Sequence, residues 1–293
     1  LTCAIGRAAD YWNTLTSWEP GGEFVAHAFT KHALPIVWDY GEINPLTDGG
    51  GSWVSALGWV SRVIDLLPAS TQGYAIQMDA AKATIPTESQ TVVSTDPPYY
   101  DNVPYANLSD FFYIWMRPCL RDVFPEMFAT RQTPKADELV ASHSLYENID
   151  DAMRHFTNGM TSALSQIHEK ANDSVPVTIY YAFKQSDTGS SGTASSGWES
   201  FLESVIRSEF VITGTWPVRT ERSTRGRAIG SNALASSIVL VCRKRPKNAE
   251  TISRREFLRE LKEEMAEALD VMIGGTEGVS PVAPVDLAQA VIG

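Results

Sequence analysis

A chain of 293 residues, 43% hydrophobic and 20% charged, has the composition of a globular protein with room for one large core or two smaller ones. Its net charge of −11 excludes a surface that grips nucleic acid over its whole extent, because phosphate neutralisation by Lys and Arg supplies most non-specific affinity. No apolar run approaches the roughly eighteen residues that span a bilayer, and Leu1-Thr2-Cys3 does not open a basic-then-apolar leader, so a cytoplasmic setting without a membrane partner is expected.

In chain order, residues 1–18 and 23–38 have the mixed apolar spacing of helices, separated by Pro20-Gly21-Gly22. The run Gly49-Gly50-Gly51 precedes a helical stretch at 53–67. No β-prone segment leads into it, so it reads as a break before a helix capped by Ser52 and not as a cofactor loop. Residues 73–81 read as a short strand ending at Asp79, and 91–94 as a buried strand that stops at Asp96-Pro97-Pro98. A helix is expected over 105–123, ended or kinked by Pro118. Another is expected over 150–172, with Ala152, Phe156, Met160, Ala163, Leu164 and Ile167 on one face. Strands follow at 175–183, 210–218 and 236–243, with a helix at 198–208. The small polar segment 186–197 reads either as a surface loop or as a lid over substrate. A charged helix over 254–272 carries an apolar side that suits packing or a partner, and 274–293 is loose. This alternation indicates an α/β fold.

The segment Thr95-Asp96-Pro97-Pro98-Tyr99-Tyr100 carries the chemistry. Proline fixes φ and has no N–H for a ladder, so the loop is stiff and sits at the carboxyl end of a strand, where open α/β sheets bind ligands. An exocyclic amine on a nucleobase is a poor nucleophile because its lone pair is delocalised. The Asp96 carboxylate can accept one amine N–H and the Pro97 carbonyl the other, while Pro98 has no N–H to compete. The amine is then held with its lone pair towards an electrophilic methyl, which is catalysis by orientation. Tyr99 offers a face on which a base removed from the duplex can stack. The bland alternative is a strand-ending proline turn.

The stretch DPPYYDNVPYANLSDFFYIW (96–115), together with Val37 to Pro45 (VWDYGEINP) and Thr133 to Val140 (TPKADELV), resembles a family of large adenine-specific DNA methylases that carry a zinc ribbon elsewhere. The resemblance reaches about residue 245. It implies a class I, Rossmann-like, S-adenosylmethionine-dependent methyltransferase core, incomplete at its N-terminal half and preceded by extra helices. The implied division is a helical region at 1–70, the catalytic half of the core at 71–247, and a C-terminal helix and tail at 248–293. It assigns Asp96, Pro97, Pro98 and Tyr99 to catalysis. Asp79, with Ala80 beside it, and Thr95 and Asp96 are assigned to the cofactor, although Asp79 is also a normal turn former. Tyr100, Asn102 and Tyr105 lie close enough in sequence to touch the base, or else serve loop packing.

DNA contact must be local. Arg219, Arg222, Arg225 and Arg227 form a basic loop suited to phosphates or a solvated surface run, and Arg243, Lys244, Arg245 and Lys247 form a second basic run that reads first as solvated surface. Cys3, Cys119 and Cys242 have no Cys-x-x-Cys spacing, encode neither a disulfide framework nor a zinc site, and read as single buried thiols. The glycine-rich cofactor turn of the fold is missing, so the chain reads as a fragment of a longer protein. A sheet lacking its first strands is expected either to self-associate or to be completed by the N-terminal helices. The reading is an N6-adenine DNA methyltransferase, with other subunits of a modification or defence system as partners. The alternatives are methylation of cytosine N4 in DNA or guanine N2 in RNA, or a non-catalytic DNA-recognition or scaffold piece.

Overall fold

The computed structural model describes residues 1–29, 34–67, 77–82, 92–100, 103–141, 146–182, 196–219 and 236–272. These form a mixed α/β structure in two compact units. The first comprises Leu1–Gln77 and Val103–Glu138, the second Met78–Asn102 and Leu139–Gly293.

In the first unit, α1 (Thr2–Tyr11) is followed by a hairpin of β1 (Ser17–Glu19) and β2 (Phe24–Ala26), then by α2 (Trp53–Leu66) and α3 (Tyr105–Leu120). The helix expected over 1–18 ends early because Asn13 turns the chain: its side chain donates to Ala9 O at 2.7 Å and accepts from Leu15 N at 2.8 Å. Among the described residues of 23–38, no helix forms. Trp18 pairs with Val25 and Glu19 with Phe24 across the Pro20-Gly21-Gly22-Glu23 turn, where Glu23 takes a left-handed φ of 53°. Aromatic and β-branched residues on both sides of a Pro-Gly-Gly turn favour a hairpin over two helices.

Small residues bring α1 close to its neighbours: Ala4 and Ala8, one turn apart, are buried on it. Phe29 meets both Phe111 and Phe112 of α3, at 5.1 and 5.2 Å between ring centroids. Ser52 caps α2, its hydroxyl accepting from Ser55 N at 3.1 Å, and Gly51 before it takes a φ of 83° that only glycine adopts easily. Most of the apolar side of α2 is exposed, including Val63, Ile64 and Leu66.

Pro104 at the N-cap of α3 offers no side-chain acceptor, and the segment after the helix supplies one. Glu138 accepts from Ala106 N at 3.0 Å, placing a carboxylate at the positive end of the helix. Thr133 donates its hydroxyl to Ala106 O at 2.6 Å and its backbone N–H to Asp110 at 2.8 Å, and Lys135 meets the other Asp110 oxygen at 2.6 Å. Further along, Tyr113 is buried, donates to Thr130 O at 2.8 Å and stacks on Phe128. Pro118 is accommodated within the last turn, and α3 ends at Leu120.

In the second unit, β3 (Ser94–Thr95), β4 (Val177–Tyr181), β6 (Ser236–Lys244) and β5 (Phe210–Arg219) lie side by side in that order. The β3–β4 pair is parallel, whereas β6 runs antiparallel to both β4 and β5. The buried strand expected over 91–94 is shorter, starts later and lies at the edge of the described sheet, with Val92 exposed. An edge strand has a partner on one side only, and the prolines that follow cannot extend the ladder. Its described neighbour is β4 alone. At the other edge, β5 carries a register shift between Ile212 and Gly214 and contains Pro217, both of which blunt strand addition. The strand read at 73–81 falls partly on 68–76, outside the described residues; Gln77 to Asp79 is not strand and runs into a turn.

One face of this sheet holds the core. Helix α4 (Ile149–Lys170), capped by Asn148, turns Ala152, Phe156, Met160 and Leu164 inward, and α5 (Ser196–Arg207) adds Trp198, Phe201 and Val205. They cover Ile179 and Tyr181 of β4 and Ile238, Leu240 and Cys242 of β6. The two helices approach through serines: Ser204 donates to Ser200 O at 2.8 Å and Thr157 O at 3.3 Å, and Ser208 to Ser204 O at 2.7 Å and Thr161 O at 3.0 Å. Helix α6 (Arg254–Met272) begins with a capping box, Ser253 with Glu256, and exposes Phe257, Leu258 and Leu261. The thiols divide: Cys242 is buried, its thiol pushed up to about 12 by that burial, whereas Cys3 and Cys119 are exposed and correct the reading of three buried thiols. Both lie at helix ends, where little packs over them.

Two outcomes follow from these contacts. The Lys135 ammonium and Thr133 hold the Asp110 carboxyl down to about 2, so its stabilising effect is full above the unfolded value of about 4 and is lost as pH falls through about 2. With the pair about a quarter exposed, we expect wild type to lose about 1 kcal/mol more than Asp110→Asn between about pH 5 and 2, measured by chemical denaturation. In the second unit, Ser204→Leu overfills the α4–α5 seam and should lower the stability measured by urea unfolding by about 1–3 kcal/mol.

Candidate active site

The loop Asp96 to Tyr100 leaves the carboxyl end of β3 beside the carboxyl end of β4, since Thr95 pairs in parallel with Ile179 and β4 runs on to Tyr181. Asp96 is exposed, while Pro97, Pro98, Tyr99 and Tyr100 are half-buried. The Tyr99 hydroxyl donates to Asp96 Oδ1 at 2.8 Å. A carboxylate has two oxygens, so Oδ2 offers acceptor capacity on the exposed side of the loop.

Tyr100 anchors the loop. Its N–H donates to the Tyr181 hydroxyl at 3.2 Å, its carbonyl accepts from Ala141 N at 2.7 Å, and its ring meets Phe156 edge-to-face at 5.1 Å. Tyr181 also meets the ring of Tyr99 edge-to-face at 5.2 Å and stacks on Phe201 at 3.9 Å with 11° between planes. Gly197, in the first turn of α5, lies so close that a Cβ there would fall 2.8 Å from Tyr100 Cβ. The sequence reading gave Tyr100 to substrate; here its described contacts are with the protein core. Neither Tyr181, Ala141 nor Gly197 was singled out from sequence. The available signals were an aromatic at the last position of a strand and a glycine next to a tryptophan at a helix start.

Asp79 sits in a turn, its carboxylate accepting from Ala81 N at 2.9 Å and paired with Lys82 at 2.8 Å, which holds its carboxyl below the ordinary range; Ala80 is exposed in the same turn. Of the polar residues assigned to S-adenosylmethionine, Asp79, Thr95 and Asp96, the first has both carboxylate oxygens engaged locally. Among the described residues, they do not form a cradle for the cofactor. Tyr105 is the exposed first residue of α3, in the other unit. Asn102, Arg222, Arg225, Arg227 and the segment 186–195 lie outside the described residues.

Strand register separates the two basic runs. Arg219 pairs with Ser236, and Ile238 with Tyr181, so the Arg219 end of the β5–β6 pair lies at the sheet edge that bears the Asp96 loop. Cys242 pairs with Val177, which puts Arg243 to Lys247 at the opposite edge, where Lys244 is bound to Asp173 at 2.6 Å. A hollow of about 440 Å³ lined by His168, Glu209, Arg245 and Lys247 opens at this far edge, away from Asp96. Among the described residues, no His, Cys, Asp or Glu cluster is arranged to hold a metal ion, and no helix is long and apolar enough to cross a membrane.

The closeness of Gly197 to Tyr100 can be tested. Gly197→Ala should force α5 or the loop to shift and cost about 1–3 kcal/mol in thermal or urea unfolding, with no such cost at the open position Gly58. Compared with known protein families, with curated proteins and with solved structures, the chain finds no match.

Proposed function

We propose that this chain carries the base-side half of an exocyclic-amine methyltransferase, and that its reaction is methyl transfer from S-adenosylmethionine to N6 of adenine in DNA. The observation that carries the reading is the exposed Asp96 carboxylate on a stiff Asp-Pro-Pro-Tyr loop at the carboxyl end of a strand parallel to its neighbour. That is the edge where α/β sheets bind ligands. Asp96 accepts one amine N–H, the Pro97 carbonyl accepts the second, and the nitrogen lone pair is left pointing away from both. Holding both hydrogens reduces delocalisation into the base, so the rate gain comes from orientation. The base must leave the duplex to reach such a loop.

Two further features support this reading. The order β3-β4-β6-β5, a parallel pair ending in an antiparallel hairpin, is the arrangement expected of the C-terminal half of a class I methyltransferase core. The Arg219 end of β5 shares the edge with Asp96, which suits the segment after it to DNA phosphates. The β3 edge has one described neighbour and suits a further strand, from a second copy or another subunit of a modification system. A second reading, a DNA-recognition or scaffold piece without cofactor, draws on the Asp79 carboxylate being engaged by Lys82 and Ala81.

Calorimetric titration of S-adenosylmethionine into the chain, with Asp79→Ala as control, separates the two. Saturable binding that is weakened in the control supports methyl transfer, and no binding favours the scaffold reading. With labelled methyl donor and duplex DNA, Asp96→Ala is expected to lower methyl incorporation by about 100-fold or more. Label in N6-methyladenine is the expected product. Label in N4-methylcytosine, or in guanine of an RNA substrate, would move the target base within the same chemistry.

A further inference from the structure

We propose that Tyr181 is a positioning residue for the Asp96 loop: its buried ring and hydroxyl form a strut that transmits the place of β4 and α5 to the carboxylate that orients the amine. The inference rests on the reading of this loop as the amine-orienting element.

Pro97 and Pro98 have no amide hydrogen, so past Asp96 the loop reaches Tyr99 before it has another backbone donor. The Tyr100 N–H is the donor tied across the molecule, 81 residues away in sequence, to the Tyr181 hydroxyl at 3.2 Å. Tyr181 is suited to hold it. It is the last residue of β4 and 1% exposed, and its ring packs against both the stacked face of Phe201 and the tilted indole of Trp198 at 5.7 Å. Phe201 and Trp198 are themselves fully buried on α5. A tyrosine fixed in this way has little rotational freedom, so its hydroxyl is placed by the sheet and α5 and not by the loop it touches.

The same ring touches the loop a second time. It meets Tyr99 edge-to-face at 5.2 Å, and the Tyr99 hydroxyl reaches Asp96 Oδ1 at 2.8 Å. Tyr181 is therefore one ring contact and one hydrogen bond away from the reacting carboxylate, without lying beside it. Gly197 completes the fit by letting the start of α5 close on Tyr100. For catalysis by orientation, a displacement of about 1 Å costs rate out of proportion to binding, by about 100-fold. Loss of the strut should thus appear in turnover and not in affinity for DNA.

The test uses Tyr181→Phe, which keeps the ring on Phe201 and removes only the hydroxyl, with Tyr181→Leu to remove the ring contact as well. Hydrogen exchange of the Tyr100 amide is followed alongside that of Leu240, a fully buried core position that reports on the fold as a whole. In Tyr181→Phe we expect the Tyr100 amide to exchange at least about tenfold faster with Leu240 unchanged. In the methyl-transfer assay, kcat should fall about 10- to 100-fold in Tyr181→Phe with KM for DNA within about twofold, and further in Tyr181→Leu. Unchanged Tyr100 exchange, or a loss confined to KM, overturns the proposal. If the wild-type chain transfers no methyl group, the functional reading fails and the exchange experiment alone decides whether Tyr181 holds the loop.

Discussion

Two consecutive prolines leave the Asp96 loop unable to hold itself. Backbone amides are what loops use to tie down their own turns, and Pro97 and Pro98 have none to give. The loop is stiff within itself and yet needs an external anchor, and the second unit is built around that need. Ala141 takes the Tyr100 carbonyl, Tyr181 takes the N–H, and Phe156 takes the ring, so a segment before α4, the end of β4 and the middle of α4 all converge on one residue. Asp96, four positions earlier in the chain, remains exposed at the far end of this anchored piece. The division of labour is physical: one end of the loop belongs to the core, the other to the solvent side where a ligand can arrive.

The same accounting of backbone groups explains the first unit. Helix α3 starts at a proline that cannot cap it, and a segment more than twenty residues downstream lends Glu138 and Thr133 to its first turn. Lys135 and Asp110 then fasten that segment by charge. The stretch Thr133 to Val140 looks in sequence like part of a functional signature. In the structure, its Thr133, Lys135 and Glu138 cap and clasp a helix. The serine seam between α4 and α5 works similarly: Ser204 and Ser208 satisfy their hydroxyls on carbonyls of both helices, and their small size sets how closely Trp198 and Phe201 can press on β4.

What was legible in the sequence was what depends on a residue and its near neighbours. The inward face of α4 follows from apolar spacing, and Ala152, Phe156, Met160 and Leu164 are all buried. Ser52 as a cap, Pro118 in the last turn of α3 and α6 over Arg254–Met272 rest on similarly local chemistry. The errors arose where local signals conflict. Residues 23–38 carry helix-like apolar spacing, but a Pro-Gly-Gly turn between Trp18 and Val25 favoured pairing. Val92 and Val93 look like a buried strand, yet a strand at the edge of the described sheet need not be buried, and nothing local says which strand takes that place.

The covalent chemistry of Asp96-Pro97-Pro98-Tyr99 determined that the chain has a rigid loop bearing a carboxylate at the end of a strand, because fixed φ and a missing N–H are properties of proline wherever it sits. Only the tertiary structure decided that Arg219 shares that edge while Lys244 faces away from it, since register depends on which strands pair and in which direction. It also decided that Tyr181 and Gly197 hold the loop. Those contacts join residues about a hundred or fewer positions apart in sequence, and they exist only because burial of α4 and α5 against β4 brings their ends together.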